Sequence, residues 1–281
     1  MEPIMPLLSV EPETLQTLVI HLRAARSGPL PSACNRAIHA QVLEWFRQGD
    51  PNVSEAIHKS QESPFIISGL MSKRQETEAK AGNEFHFRIG LLSGNLMKPL
   101  LEGFQKLEDT PFSLAEFPFV IQSINMLPST DLWVCSSSYT LLAKTPLILN
   151  ELTLKYLSPV SFKLNTGQGI QAFPLLEAAF GSLYRRWNAF APENLKLPKI
   201  HWNGWVSDYE LRTEKVKIKN SVELGAVGWV TYRFPDPEQA KAATILAHFA
   251  FFSGVGRKTA MGMGQTRLDQ IAPNMMQSLA S

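Results

Sequence analysis

The stretch VGWVTYRFPDPEQAKAATILAHFAFFSGVGRKTAMGMGQTRL, Val227 to Leu268, decides the fold. It opens with VGWVTYRF, a run of β-branched and aromatic residues that reads as a strand ending at Pro235. Asp236 and Pro237 then give a helix-start signature, and Gly254 gives the stop. Beyond a glycine-rich loop, GMGQTRL reads as one more strand. A strand, a helix and a strand in this order are the second half of a split β-α-β unit.

Working outward, the segments before it supply the rest. ELTLKYLSPVSFKL reads as two extended pieces around Ser158-Pro159. FPLLEAAFGSLYRRWNAF, Phe173 to Phe190, is helical by period, and DYELRTEKVKIK alternates as a strand does. The first half repeats the order without repeating the sequence. TLQTLVIHLRA, Thr14 to Ala24, reads as a strand bounded by Pro12 and SGPLP. NRAIHAQVLEWFRQG, Asn35 to Gly49, puts Ile38, Val42, Trp45 and Phe46 on one helix face, with Asn35 as cap and Gly49 as stop. A short helix, NVSEAIHKS, follows Pro51. SPFIISGLM and EFHFRIGLL read as paired strands. MKPLLEGFQKL reads as a second long helix starting near Asn95, and Phe112 to Ser129 as strand-like. The expected class is therefore α+β: two tandem ferredoxin-like domains, each an antiparallel sheet with helices on one face. The expected division falls near Thr145-Pro146, giving domains 1–145 and 146–281.

Composition narrows the function. With 281 residues, the chain is long enough for two ordinary domains. A net charge of only +2 means that any nucleic-acid surface has to be local. Cys34 and Cys135 form no C-x-x-C pair. That excludes a thiolate zinc site by spacing, gives no disulfide framework and fits a reducing cytoplasm. The acidic start, with Glu2, Glu11 and Glu13, predicts no signal peptide. No apolar run reaches about 18 residues, so no membrane partner is expected.

The loop FSGVGRKTAMGMGQTRL, Phe252 to Leu268, sets two G-x-G pairs around Arg257, Lys258 and Thr259. It is not a Walker loop: Arg257 rather than lysine follows Gly256, and the order is helix, loop, strand. The dinucleotide fingerprint also fails, because Thr259 stands where the third glycine belongs. A plain surface turn would need less glycine, since each interior one costs about 0.5–1 kcal/mol relative to alanine. There remains a loop whose backbone amides, with Arg257 and Lys258, hold a phosphodiester backbone.

FFSGVGRKTAMGMGQTRL closely resembles the C-terminal glycine-rich loop of the CRISPR repeat-processing endoribonucleases, the sixth family of Cas proteins within the RAMP superfamily. LSPVSFK (Leu157 to Lys163), VGWVTYRF, NRAIHAQVLEWF and AIHKSQESPFIISGLM resemble other segments of that family, in the same order. The resemblance implies two ferredoxin-like domains in tandem. It implies cleavage of CRISPR precursor RNA within its repeats, without metal or cofactor. The 2′-hydroxyl attacks its own phosphate and leaves 2′,3′-cyclic phosphate and 5′-hydroxyl ends. The implied partner is a repeat RNA, single-stranded or hairpin, with CRISPR effector-complex subunits as a further class and a monomer or homodimer as the state. A catalytically silent RAMP-type RNA-binding subunit is the alternative.

That chemistry needs a base and an acid, and imidazole suits both roles because its pKa is near working pH. Of six histidines, His86 alternates with Phe85 and Phe87, His21 lies in the first strand, His201 sits in the aromatic loop HWNGW, and His248 lies in an apolar helix. By resemblance, His58 falls where the family places its catalytic histidine, and His39 where several members place a catalytic tyrosine or second histidine. Lys59 is the lysine available where some relatives complete the site a few residues later. Arg23, Arg26 and Arg36 are alternatives for that charge, and no tyrosine occurs between residues 1 and 138. Which histidine is acid and which is base stays open. The RNA-binding set is Gly254, Gly256, Arg257, Lys258, Gly262, Gly264 and Arg267. Arg185, Arg186, Lys196, Lys199, Arg212, Lys215, Lys217 and Lys219 make the second half locally basic. They form either a groove for RNA or a strand edge blunted by lysines.

Overall fold

The computed structural model describes residues 10–31, 34–72, 77–106, 111–128, 130–145, 147–164, 169–218 and 221–269. In the first half these residues form β1 (Thr14–Ala24), α1 (Cys34–Gly49), α2 (Pro51–Lys59), β2 (Phe65–Ile67), β3 (Glu84–Leu91), α3 (Met97–Gln105), β4 (Phe112–Leu114), β5 (Phe117–Asn125), β6 (Ser136–Ser138) and α4 (Tyr139–Ala143). In the second they form β7 (Glu151–Val160), α5 (Leu176–Phe190), β8 (Trp205–Ile218), β9 (Ser221–Arg233), α6 (Pro237–Ser253) and β10 (Thr266–Asp269).

The first sheet runs β2-β3-β1-β5-β4, with β6 paired to the start of β1; the second runs β8-β9-β7-β10. Every neighbouring pair is antiparallel. In each half the opening strand is central, between the third main strand and the last. This is the tandem ferredoxin-like arrangement that the order of elements predicts. No helix among the described residues is long and apolar enough to cross a membrane.

The pleat explains how β1 is used. Leu18, Ile20 and Leu22 enter the first core, where Ile38, Val42, Trp45 and Phe46 of α1 meet Leu100 and Phe104 of α3. Trp45 meets Phe104 edge-on at 4.5 Å, a geometry worth about 0.5–1.5 kcal/mol beyond area burial. His21 shares the opposite face of the sheet with its cross-strand partner His86, the two rings lying 5.8 Å apart. The strand-like segment after Phe112 is a hairpin, turning at Ala115 and Glu116, which adopt φ 50° and 69°. Ser129, the expected end of that segment, lies outside the described residues, as do Glu2 and Pro146.

The two halves share packing. The second core is built on Phe180, Trp187, Tyr232 and Phe249, yet it also takes in Leu15, Leu92 and Tyr139. Ala260, from the glycine-rich loop, belongs to the first core. Tyr139 packs edge-on against Trp187 at 5.0 Å and donates its hydroxyl to the Leu92 carbonyl.

Two buried arginines join the halves. Arg88 of β3 donates to Gln265 Oε1 at 2.7 Å, to the Phe251 carbonyl and to the Trp133 carbonyl. Gln265 in turn donates to the Ile67 carbonyl. Arg186 of α5 donates to the carbonyls of Ser63 and Ser253 and to Thr259 Oγ1. Burial lowers both guanidinium pKa values, to about 9 for Arg88 and about 10 for Arg186, so each remains charged at neutral pH. A buried cation is tolerable only where hydrogen bonds replace its water, as these acceptors do.

Candidate active site

His39 sits on α1 one residue after the buried Ile38, at the edge of the apolar stripe. Its ring stacks on Phe65, the first residue of β2, at 5.6 Å and 18°. One helical turn earlier, Asn35 fits between Gly69 and Gly262 so closely that a Cβ on either glycine would lie under 3.0 Å from its side chain. The first two turns of α1 therefore rest against the glycine-rich loop, although more than 200 residues separate them. The imidazole of His39 is held below the ordinary histidine value. Burial is the main cause; the Ala260 backbone opposes it, and nearby His58 adds to it. Its Nδ1 is buried without a hydrogen-bond partner.

His58 reaches this place from α2. Asp50 caps that helix by accepting from the Asn52 amide at 2.9 Å, and Pro51 occupies its first turn. His58 and Lys59 lie in its last turn, both exposed. Lys59 Nζ lies 2.6 Å from Glu55 Oε1, one turn back. Arg185 of α5 reaches Glu62, just beyond α2, at 3.4 Å.

The loop itself is folded inward. Gly254, Gly256, Gly262 and Gly264 all have positive φ, from 63° to 86°. At Gly264 a Cβ would lie 2.0 Å from the Val255 carbonyl oxygen, and at Gly256 2.5 Å from that of Ser161. No side chain fits in either place. Several loop amides are spent inside the protein: Val255 donates to Gly264 O, Gly256 to Ser182 Oγ, Arg257 to Ser161 O and Gly264 to Pro159 O. Lys258 adopts the left-handed conformation at φ 57°, and its carbonyl accepts from the Met261 and Met263 amides. Its ammonium and the Arg257 guanidinium both bind Glu223 of β9, at 2.5 and 3.0 Å.

Residues 154–266 match the family described as CRISPR-associated endoribonuclease Cas6. The chain is Cas6-like.

Solved structures extend the likeness. The chain covers 92% of its own length and 100% of a Cas6 (TTHA0078) product complex, at 27% identity and a TM-score of 0.72. It aligns at 25% identity with a substrate mimic complex of the same protein, at a TM-score of 0.65. The product complex of Cas6 (TTHB231), a Thermus thermophilus protein, aligns over 92% of this chain and 100% of its own at a TM-score of 0.79; at 21% identity it speaks for the fold. No curated protein sequence matches the chain.

In this Cas6-like chain, His39 lies near His58 on one side and the loop at Ala260 on the other, while other sequence candidates lie elsewhere. His21 meets Asn125 at 3.2 Å and Asp131 at 3.7 Å on the far face of the first sheet. His201 is exposed in the second half, and His248 is held below its ordinary value by burial in α6. Arg23 pairs with Glu84, and Arg26 lies over the Phe117 ring. Arg36 is exposed on α1. Arg267 projects from β10 opposite Lys155, 3.9 Å from Asp269. Arg186 is not part of a basic surface; its burial makes it a structural tie. Lys215 and Lys217 are opposite Leu224 and Val222 on an exposed hairpin, and Lys219 lies outside the described residues. Glu223 was not singled out by sequence, because its partners are remote in the chain. Asn35, expected as the cap of α1, instead lies inside a helix that begins at Cys34, with its side chain against Gly69 and Gly262. Arg186 did carry a signal: it continues the spacing of Ala179, Ser182 and Leu183 along the buried face of α5.

Proposed function

We propose that the chain is an endoribonuclease that cuts CRISPR precursor RNA within its repeats, using His39 and His58 as a proton-transfer pair. The observation that carries this reading is their placement. Two imidazoles from two helices lie close enough to influence one another, beside a loop from the other half of the chain. Residues 1–145 then form the unit bearing the histidines, and 146–281 the unit bearing the loop.

Burial favours neutral His39 at neutral pH, which suits it to accept a proton. In the proposed reaction His39 takes the proton of a ribose 2′-hydroxyl. The oxygen attacks the adjacent phosphorus, and the bond to the leaving 5′-oxygen breaks. Protonated His58, open to solvent, gives that oxygen its proton. The products are a 2′,3′-cyclic phosphate and a 5′-hydroxyl, and the proton count closes without metal-bound hydroxide. Lys59 supplies charge to the phosphorane once it leaves Glu55. Arg257 and Lys258 hold backbone phosphates, with Gly254, Gly256, Gly262 and Gly264 shaping the loop that presents them, and Arg267 adds positive charge from β10, beyond the loop. The solved relatives that are a product complex and a substrate mimic complex support an RNA ligand. A further structure is of a mutant of the same relative with one histidine replaced by alanine.

The test is cleavage of a repeat RNA from the source genome in EDTA, with end analysis of the 5′ fragment. Cutting at one position with a cyclic phosphate end is expected. Loss of roughly 10²–10⁴-fold is expected for His39→Ala and for His58→Ala, with RNA binding retained. Tight binding without cutting by the wild type would instead identify a silent RNA-binding subunit.

A further inference from the structure

Glu223 is the anion that the two loop cations hold in the free protein. Its side chain is 8% exposed, whereas those of Arg257 and Lys258 are 24% and 26% exposed. The carboxylate approaches from inside, and the outer sides of both cations stay open to solvent. One negative charge faces two positive ones, so the cluster keeps a net charge of +1. It is a half-neutralised anion site whose remaining half faces outward.

Local geometry makes the arrangement firm. Glu223 lies on β9 opposite Val216. Two residues on, Gly225 lies so close to the Ser-Pro segment of β7 that a Cβ would fall 2.7 Å from Pro159. The Arg257 amide is bonded to Ser161 O, and the Lys258 backbone is fixed by its left-handed turn. Loop and acid are therefore both anchored to the same stretch of β7 and the residue after it.

Resting on the proposed function, we propose that Glu223 tunes the RNA grip: it holds Arg257 and Lys258 partly neutralised, and an RNA phosphate must compete with it for them. Such an acid weakens any single phosphate contact. An RNA that engages the loop and the histidines together can offset this, and an arbitrary strand that meets only the loop cannot. The device selects for the full set of contacts without reading a base.

The probe is a repeat RNA lacking the 2′-hydroxyl at the cut nucleotide, so that binding is measured without turnover. Wild type, Glu223→Gln, the double variant Arg257→Ala/Lys258→Ala, and the triple variant are titrated at several salt concentrations, with melting curves recorded for each. Glu223→Gln should bind roughly three- to tenfold tighter. The slope of log affinity against log salt should steepen by about 0.7 for each cation newly available to single-stranded RNA. The gain should vanish in the triple variant. Unchanged or weaker binding by folded Glu223→Gln overturns the proposal, showing the acid to be only a clamp. If Glu223→Gln does not fold, Glu223→Asp keeps the charge but withdraws it by one methylene. A smaller tightening then supports the proposal, and none overturns it. Wild-type affinity in the double variant would overturn the loop grip along with it. Absence of cleavage with the binding pattern intact would remove the catalytic reading and leave Glu223 in its role.

Discussion

Replacing Gly264 by alanine tests the claim that the glycine-rich loop is a packed element. Gly264 has φ 69°, where an L-residue costs about 1–2 kcal/mol. The new Cβ would also sit 2.0 Å from the Val255 carbonyl oxygen, a backbone atom that cannot swing aside as a side-chain end can. Relief requires the loop to open. That strains the Val255-to-Gly264 and Gly264-to-Pro159 hydrogen bonds, both 2.9 Å long and each worth about 1 kcal/mol net. The sum is about 3–4 kcal/mol, a large part of an ordinary stability of about 5–15 kcal/mol. The control is Gly82→Ala. Gly82 has φ 86° but nothing within 4 Å of the added carbon, so only the conformational cost of about 1–2 kcal/mol applies. Thermal melting should place Gly264→Ala roughly 6–10 °C below wild type and Gly82→Ala about 2–4 °C below. Equal melting points for the two variants would refute the packing argument. RNA binding should fall in the first variant and not in the second.

Other expectations follow from the same geometry. With His39 as base and its pKa lowered, the acidic limb of kcat/KM should have its midpoint below about 6.5; a midpoint at or above that value would remove His39 from the role. Arg186→Met should destabilise by about 2–4 kcal/mol in denaturant unfolding, because the carbonyls of Ser63 and Ser253 lose their donor, while Arg185→Ala on the exposed side should stay within about 0.5 kcal/mol.

Regular patterning made much of the fold legible. Thr14–Ala24 is the first strand as read, because its β-branched run is bounded by proline and by a turn sequence. Cys34–Gly49 differs from the reading by one residue, since its apolar spacing and closing glycine both act locally. The hairpin at Ala115 and Glu116 was hidden, because it turns without the asparagine or glycine that such φ values favour. Ser136–Ser138 was hidden too: three serines carry no apolar alternation. At the site, resemblance pointed to His39 and His58, and the structure adds that His39 meets the loop at Ala260 and lies near His58. The Glu223 contact with Arg257 and Lys258 was not legible, since it joins residues 34 and 35 positions apart through a sheet register that no local signal specifies. The four glycines were legible as a signal, but their cause was not: much of what they accommodate is the protein's own backbone.

The exchange of packing groups between the halves has a consequence for cutting the chain in two. A fragment ending near residue 143 would carry Leu15, Leu92 and Tyr139 with nothing to cover them, and the complementary fragment would lack those three and expose Ala260. Arg88 and Arg186 would each lose acceptors to the missing partner. Each piece would thus hold parts made for the other, and the mixed pieces have reason to find one another and rebuild one molecule. Activity regained on mixing would then report directly on assembly, since His39 and Ala260 would arrive on separate chains.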